Sequence, residues 1–285
     1  MILSFHPCFD GDHQVILGDR RVGPEDRALI RRAKAVILPQ GRPDALYEAC
    51  VASDAVVFPD YRLRFDYPGK IGQSRLFESM GCPCPKTYRW ASLERFTSHH
   101  PGPDRYPHGL PFVVKTDLGH EGDGVFIVDD RQDLLSAFER IRLKKGSGSM
   151  GFVTQEYIPC GGNVLRSVII GKRVITYWKR PAHPADRITT ISRGAGIDHD
   201  WRSDLQEKGR RTAVDFTERT KLNLAAIDFV FSLAEDDPEP LFLEINYYFG
   251  RRGLGGSEKY YSMVYGAIRE WLGEAGLDPD AVKLV

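Results

Sequence analysis

Apolar and polar positions change period repeatedly along the chain, and the changes predict its elements. From Met1 to Tyr67, short apolar runs alternate with helical patterns. His13 to Leu17, Ala35 to Leu38 and Ala55 to Phe58 read as strands, while Pro24 to Ala33 and Pro43 to Val51 read as helices with proline in the first turn. Strand alternating with helix predicts a small open parallel sheet. A helix then runs from Gly69 to Gly81, with Leu76, Phe77 and Met80 as its buried stripe and Gly81 as its C-cap. Strands follow at Pro111 to Lys115 and Val125 to Val128, and then a helix from Arg131 to Leu143 with its stripe at Leu134, Leu135, Phe138 and Ile141. After a polar Gly/Ser loop (Lys144 to Gly151), a strand from Phe152 is stopped by Pro159. Val164 to Ile170 and Arg173 to Arg180 form a hairpin through Gly171-Lys172, a pair suited to a type II′ turn. Pro181 to Asp204 is irregular and polar, and a helix is expected from Leu205 to about Leu222. Two strands, Leu224 to Phe231 and Leu241 to Asn246, precede a Gly-rich segment and a last helix, Glu258 to Trp271, burying Tyr261, Val264, Tyr265, Ile268 and Leu272. No internal repeat is present.

The two late strands carry the strongest chemistry. Side chains alternate across a strand, so Glu244 and Asn246 share one face while Ile245 points to the other. If the strands pair, Asp228 reaches that face as well. Two carboxylates 4 Å apart repel by about 4 kcal/mol at an effective dielectric near 20, so something cationic must offset them. Carboxylate plus carboxamide oxygens suit a hard cation such as Mg²⁺. The alternative is a pair of solvated strand-end acids.

Two lysines point to an anion. Lys70 sits in the first turn of its helix, where it opposes the helix dipole. Lys115 follows four apolar residues, where an unpaired ammonium is costly. It stands at the base of a loop, Thr116 to Gly124, that carries Gly119, Gly122 and Gly124. Such a loop lets backbone N–H groups turn toward phosphate oxygens, and the strand that follows it rules out a Walker A loop. An unliganded hairpin beside an exposed lysine is the plainer account of each feature alone.

Composition narrows the classes. The chain has 285 residues, enough for several lobes with cores of their own, and its 39 Lys+Arg balance 39 Asp+Glu. No global field draws it to nucleic acid or anionic lipid. Arg27, Arg31, Arg32 and Lys34 make the first helix basic, most simply as a solvated face. No apolar run is long enough to span a bilayer, and Met1 to Ser4 lacks the features of a signal peptide. The five cysteines (Cys8, Cys50, Cys82, Cys84, Cys160) show no zinc spacing and fit free thiols in a reducing cytoplasm.

Taken in order, these features resemble the ATP-grasp superfamily from about Pro68 to Trp271. The resemblance is carried by the helix-opening Lys70, the passage Gly81 to Thr87, the strand Lys115 with its glycine loop, and the strand Gln155-Glu156-Tyr157-Ile158. The Arg-bearing hairpin with Lys179-Arg180 and the terminal Asp228…Glu244-x-Asn246 set complete it. Nearest in pattern are the ribosomal-protein glutamate ligases and glutathione synthetases. The resemblance implies an ATP-grasp fold of two α+β lobes holding ATP between them, preceded by a small open parallel α/β lobe. The lobes would be 1–67, 68–158 and 159–285. It implies Lys70 and Lys115 on the phosphates, with the loop bearing Gly119, Gly122 and Gly124 folded over them. Adenine would lie against Gln155, Glu156, Tyr157 and Ile158 and be read through their backbone. Asp228, Glu244 and Asn246 would ligate two Mg²⁺ ions, with Mn²⁺ as a substitute, and Arg180, Arg166 and Lys115 would act in the chemistry. That chemistry is ATP-dependent ligation of a carboxylate to an amine through an acyl phosphate, on small-molecule, amino-acid or peptide substrates. Neither nucleic acid nor membrane is an expected partner, and the chain can be a homo-oligomer.

Departures are specific. Asn163-Val164 stands where relatives carry an acid for ribose, and Thr190 stands in place of an Asn ahead of Ser192-Arg193-Gly194. After Asn246 the usual Ser-Pro-Gly is replaced by Tyr247-Tyr248-Phe249-Gly250 and then Arg251-Arg252, residues expected either to shape a site for an anionic or aromatic substrate or to pack as core and turn. Arg193 is either functional or an ordinary surface residue. An ATP-binding protein without turnover is the alternative function.

Overall fold

A computed structural model of the chain describes residues 1–41, 44–100, 105–119, 122–143, 151–191 and 194–285. Its first sheet is parallel and short-stranded, built from β1 (Ile2–Ser4), β3 (His13–Gln14), β4 (Ala35–Ile37) and β5 (Val56–Phe58) in the order β3-β1-β4-β5. The central strand β1 has no counterpart among the sequence-based expectations, because three residues at the start of a chain show no period. The strand expected over His13 to Leu17 pairs only at its first two residues, and Ile16 is exposed. Helices α1 (Pro24–Arg32) and α2 (Asp44–Val51) cover one face, burying Ile30, Leu46 and Cys50 against Leu3 and Val36. Pro43, the expected start of α2, lies outside the described residues.

After the short helix α3 (Arg62–Asp66), α4 (Gly69–Ser79) is followed by Gly81 in the left-handed region (φ +64°), as its place after a helix end requires. A four-stranded antiparallel sheet comes next, β6 (Thr87–Trp90), β7 (Phe112–Thr116), β8 (Val125–Val128) and β9 (Phe152–Glu156), in the order β6-β9-β7-β8. Helices α5 (Leu93–His99) and α6 (Arg131–Leu143) bury one face of it around Trp90, Phe96, Phe112, Phe138 and Phe152. Ala137 rather than Leu135 completes the α6 stripe, and Leu135 is exposed. Its 100° offset from Leu134 carries it off the narrow face that a single sheet covers. Most of the polar loop at 144–151 lies outside the described residues.

The third sheet holds β10 (Val164–Ile170), β11 (Arg173–Arg180), β12 (Gly196–Asp198), β13 (Leu224–Val230) and β14 (Leu241–Asn246), antiparallel in the order β12-β11-β10-β13-β14. Gly171 takes φ +61° while Lys172 stays at negative φ, as a type II′ turn requires. Helix α7 runs from Ser203 to Thr220 and is closed by the left-handed Lys221, two residues before the expected end. It packs Phe216 with Leu76 and Phe77 of α4 against Leu165, Ala225, Ile227 and Phe229. The opposite face of the same sheet changes character along its length. Val168, Ile170, Leu224 and Ala226 lie under α8 (Ser257–Glu274), whose Val264, Ala267 and Ile268 also meet Ile2, Ala35 and Phe58 of the parallel sheet. Beyond that apolar patch the alternation of the same strands presents Arg166, Lys179, Asp228, Glu244 and Asn246. The chain end closes on the beginning: β15 (Lys283–Leu284) pairs with β2 (Phe9–Asp10).

Candidate active site

Asp228 and Glu244 sit directly opposite in the β13–β14 register, Ala226 opposes Asn246, and the register shifts just after Asp228. Asp228 is 1% exposed. Arg166 grips it with two parallel hydrogen bonds, Nε to Oδ1 and Nη2 to Oδ2, each 2.8 Å, and Lys179 Nζ donates to Oδ2 at 2.8 Å. Asn246 Nδ2 donates to Asp228 Oδ2 and to Glu244 Oε1, both at 3.1 Å, so one amide links the two acids. Burial pushes the Asp228 carboxyl up, but Arg166 and Lys179 outweigh it and hold the group well below the usual carboxylate range.

The small sheet faces this cluster with Lys115, which is 8% exposed. Burial pulls its ammonium down to about 8, an effect opposed by the charges of Glu244 and Asp228 and reinforced by Lys70. Lys115 Nζ donates to Gln155 Oε1 (2.6 Å), Gln155 Nε2 to Thr87 Oγ1 (2.9 Å), and Thr87 Oγ1 to the Pro85 carbonyl (2.7 Å). That relay fixes the lysine stem across three strands and leaves its charge without a carboxylate hydrogen bond among the described residues. Lys70 Nζ donates to the Gly119 carbonyl at 2.7 Å, so the lysine of α4 already touches the glycine loop. The start of α4 is held by Asp117, a residue unremarked in the sequence: its Oδ1 accepts from Ile71 N (2.8 Å), and its carbonyl from Lys70 N (3.2 Å).

The glycines of the loop have steric reasons. Gly122 and Gly124 adopt φ +75° and +80°, a Cβ on Gly124 would collide with the Thr116 side chain, and one on Gly119 would collide with the Asp123 carbonyl. His120 and Glu121 of this loop lie outside the described residues. At the end of β9, Glu156 N donates to the Lys86 carbonyl (2.9 Å) and the Ile158 carbonyl accepts from Cys160 N (2.7 Å). Those two backbone groups are thus committed inside the protein, which narrows the expected reading of adenine to the remaining groups of Glu156, Tyr157 and Ile158. The cleft between α4, β9 and β14 is walled by Phe77, Cys84, Val153 and Leu243, with Lys70, Lys115 and Gln155 along it.

One contact ties the two sides together. Gln73 of α4 donates Nε2 to the Ile245 carbonyl (2.9 Å) and accepts at Oε1 from Ile245 N (2.8 Å), standing in for the missing neighbour of edge strand β14. Gln73→Ala should lower stability by ~1–3 kcal/mol, since it leaves a backbone donor and acceptor half-buried and unmade; urea unfolding measures the loss.

The sequence matches the RimK-like ATP-grasp domain family over residues 103–263, more than half of the chain. The chain belongs to the RimK-like ATP-grasp family. The "Probable alpha-L-glutamate ligase 2" of Hahella chejuensis is 28% identical over 151 residues, a match covering 52% of this chain and 45% of that protein. The chain thus spans about half the length of the curated relatives it matches. Among solved structures, an ATP-grasp RimK domain protein from Sphaerobacter thermophilus superposes with a TM-score of 0.57 at 16% identity, covering 92% of this chain and 97% of that one. The D-alanine–D-alanine ligase of Bacillus anthracis gives 0.61 at 15% identity, covering 92% and 89%. At these identities the likeness is one of fold, and the two antiparallel sheets flanking the cleft are those of an ATP-grasp protein.

Within this ATP-grasp frame the expected residues separate. Arg166, Lys115, Lys70, Gln155, Asp228, Glu244 and Asn246 are brought to one cleft. Arg180 is not: it follows Lys179 on β11 and so points to the other face, where its guanidinium lies 4.3 Å from the centre of the Trp201 ring and bonds Asp198 at 3.1 Å. On the Arg166 face the hairpin presents Lys179 in its stead. The signal was available, because a two-residue turn at Gly171-Lys172 fixes Arg166 opposite Tyr177 and hence Lys179 on the Arg166 face. Arg193 and Ser192 lie outside the described residues.

The donor set suits a hard cation in one respect and constrains it in another. Asp228, Glu244 and Asn246 offer oxygen only, and among the described residues no group of three or more His, Cys, Asp and Glu side chains forms a metal cage. Oδ2 of Asp228 already receives donors from Arg166, Lys179 and Asn246, so Glu244 and Asn246 are the more available ligands. All five cysteines are free, and among the described residues no helix is long and apolar enough to cross a membrane.

Proposed function

We propose that the protein is an ATP-dependent carboxylate–amine ligase that works through an acyl phosphate. The observation that carries this reading is the meeting of Lys70 and Lys115, on one side of a cleft, with Asp228, Glu244 and Asn246 on the other, within a RimK-like ATP-grasp chain. Lys115 and Lys70 would hold the phosphates of ATP, and Glu244 and Asn246, with Asp228 behind them, would hold Mg²⁺. The ion, when bound, supplies charge stabilisation to phosphoryl transfer. Arg166 and Lys179 keep Asp228 ionised and oriented. The glycine loop, tethered through Gly119 to Lys70, would exclude water from the acyl phosphate. A carboxylate of an amino acid or peptide accepts the γ-phosphoryl group, and an amine then displaces phosphate. Residues 1–67 would form the lobe that precedes the grasp, 68–158 its small lobe and 159–285 its C-terminal lobe.

A second reading, nucleotide binding without turnover, draws on the full engagement of Asp228 by Arg166 and Lys179. Release of ADP and phosphate that requires both a carboxylate and an amine supports the ligase. Stabilisation by Mg-ATP with no hydrolysis across an amino-acid and peptide panel supports the second.

The lowered pKa of Lys115 has a defined pH signature. The folded-state value is near 8 and the ordinary one is 10.5, so between these pH values the unfolded chain binds more protons than the folded one. This lysine therefore makes stability rise with pH across that window. Nucleotide affinity should do the opposite, falling above about pH 8 as the ammonium is lost, and ATP binding there should be accompanied by proton uptake. Calorimetry in buffers of different ionisation enthalpy measures it, and Lys115→Met should abolish the uptake.

A further inference from the structure

The segment after Asn246 divides between packing and exposure. Tyr247 turns its ring edge-on to Tyr61 at 6.2 Å, and Phe249 is buried edge-on to Tyr260 at 6.1 Å. Gln40, from the loop after β4, joins them by donating Nε2 to the Tyr247 carbonyl and accepting from Tyr260 Oη, both at 3.2 Å. These contacts bind the parallel-sheet lobe to the end of β14. Tyr248, by contrast, is 74% exposed and lies over Gly41, where an added Cβ would come within 2.9 Å of the ring.

Arg251 then lies over two tyrosines, its guanidinium 4.7 Å from the centre of the Tyr260 ring and 4.5 Å from that of Tyr261. Its Nη1 donates to Ser257 Oγ at 3.3 Å, and it has no carboxylate partner among the described residues. From the loop after β1, His6 comes to the same place. Its ring is edge-on to Tyr261 at 5.6 Å and the residue is 6% exposed. His6 Nδ1 accepts from Cys8 N at 3.0 Å, which places the proton of the neutral ring on Nε2, and Nε2 has no acceptor among the described residues. Burial first, and the Arg251 charge second, push His6 down to about 4, so the ring is neutral near pH 7. The cluster stands at the carboxyl ends of β1 and β4, between which the strand order β3-β1-β4-β5 reverses direction. Open parallel sheets bind ligands at that crevice.

We propose that Arg251 and the Nε2–H of His6 form an oxyanion site that anchors a carboxylate or phosphate group of the second substrate. A guanidinium stacked on aromatic rings without a carboxylate is preorganised for a planar or tetrahedral oxyanion. A neutral imidazole N–H adds a donor without a competing negative charge. The role as a substrate anchor rests on the ligase reading, whereas the binding of an oxyanion does not.

The test is a thermal-shift titration of the full chain, its nucleotide site filled with Mg-ADP, with glutarate and with inorganic phosphate at ionic strength matched by chloride. At least one of the two should stabilise the wild type saturably; the better anion assigns carboxylate or phosphate. Arg251→Met should weaken that response at least tenfold, His6→Phe, which keeps the ring stack, should weaken it severalfold, and Arg252→Met should leave it unchanged. No saturable stabilisation of the wild type by either anion overturns the site, as does an unaltered response in both Arg251→Met and His6→Phe. Should Arg251→Met fail to fold, His6→Phe carries the decision. Because the readout is binding, a protein that never releases ADP sinks the ligase reading and leaves this result standing.

Discussion

Glu244→Gln should reduce ATP turnover by about 10³-fold or more while the protein keeps its fold and its melting temperature. Glu244 lies at the edge of the cleft, half-buried, and among the described residues its carboxylate accepts from Asn246 Nδ2 at 3.1 Å. Glutamine has nearly the same volume and can still present an oxygen to that amide, so packing around β14 is preserved. What it removes is a full negative charge from the group that would hold Mg²⁺ in the proposed mechanism, Asp228 being buried beneath Arg166 and Lys179. Groups aimed at charge that develops in the transition state are each worth about 10²–10³ in rate, and a lost metal ligand also weakens binding of the ion. Steady-state ADP release measures the effect, and a melting curve run beside it separates loss of chemistry from loss of fold. Turnover within a few-fold of wild type would reject Glu244 as a metal ligand.

Arg166→Met should destabilise the protein by ~3–5 kcal/mol, because it strips the guanidinium fork from a buried carboxylate and leaves that charge to Lys179 alone. Asp228 then keeps Lys179 Nζ and Asn246 Nδ2 but loses both charge-assisted bonds of the guanidinium fork. Lys179→Met should cost less, since the fork remains. The double substitution Arg166→Met with Asp228→Leu should not recover the loss, because it takes the counter-charge from buried Lys179. Arg166→Met, Lys179→Met and Asp228→Leu together, which remove all three charges, should recover a substantial part. Denaturant unfolding of these variants and the wild type makes the comparison. A loss below about 1 kcal/mol for Arg166→Met would mean that solvent reaches Asp228 and the pair is no longer a buried one.

The long strands and helices were legible because each satisfies a single periodicity over enough residues to be read. Leu224 to Val230 is buried at every position, Leu241 to Asn246 alternates, and α8 repeats its apolar face every three or four residues. The pairing of Asp228 with Glu244 followed from alternation plus adjacency, and the Gly171 turn from its residue type. Other features left no local trace. Strand β1 is three residues long, and Tyr260 is buried in the core under α8, where Gln40, far away in sequence, accepts from its hydroxyl. Gln73 and Asp117 look like surface residues until the edge of β14 and the start of α4 are brought against them. Arg180 differs for another reason: its residue type suggests an anion holder, whereas the parity of the strand puts Lys179, not Arg180, on the Arg166 face. Where side-chain parity and residue chemistry disagree on a β-hairpin, the register set by a two-residue turn is the stronger constraint.

The measurement that bears most directly on the cleft is a crystal structure of the protein with magnesium and a non-hydrolysable ATP analogue. The phosphates are expected between Lys70 and Lys115 under the glycine loop, with the ion ligated by Glu244 and Asn246. A nucleotide bound anywhere else, or phosphates in the cleft with no ion touching either residue, would contradict it.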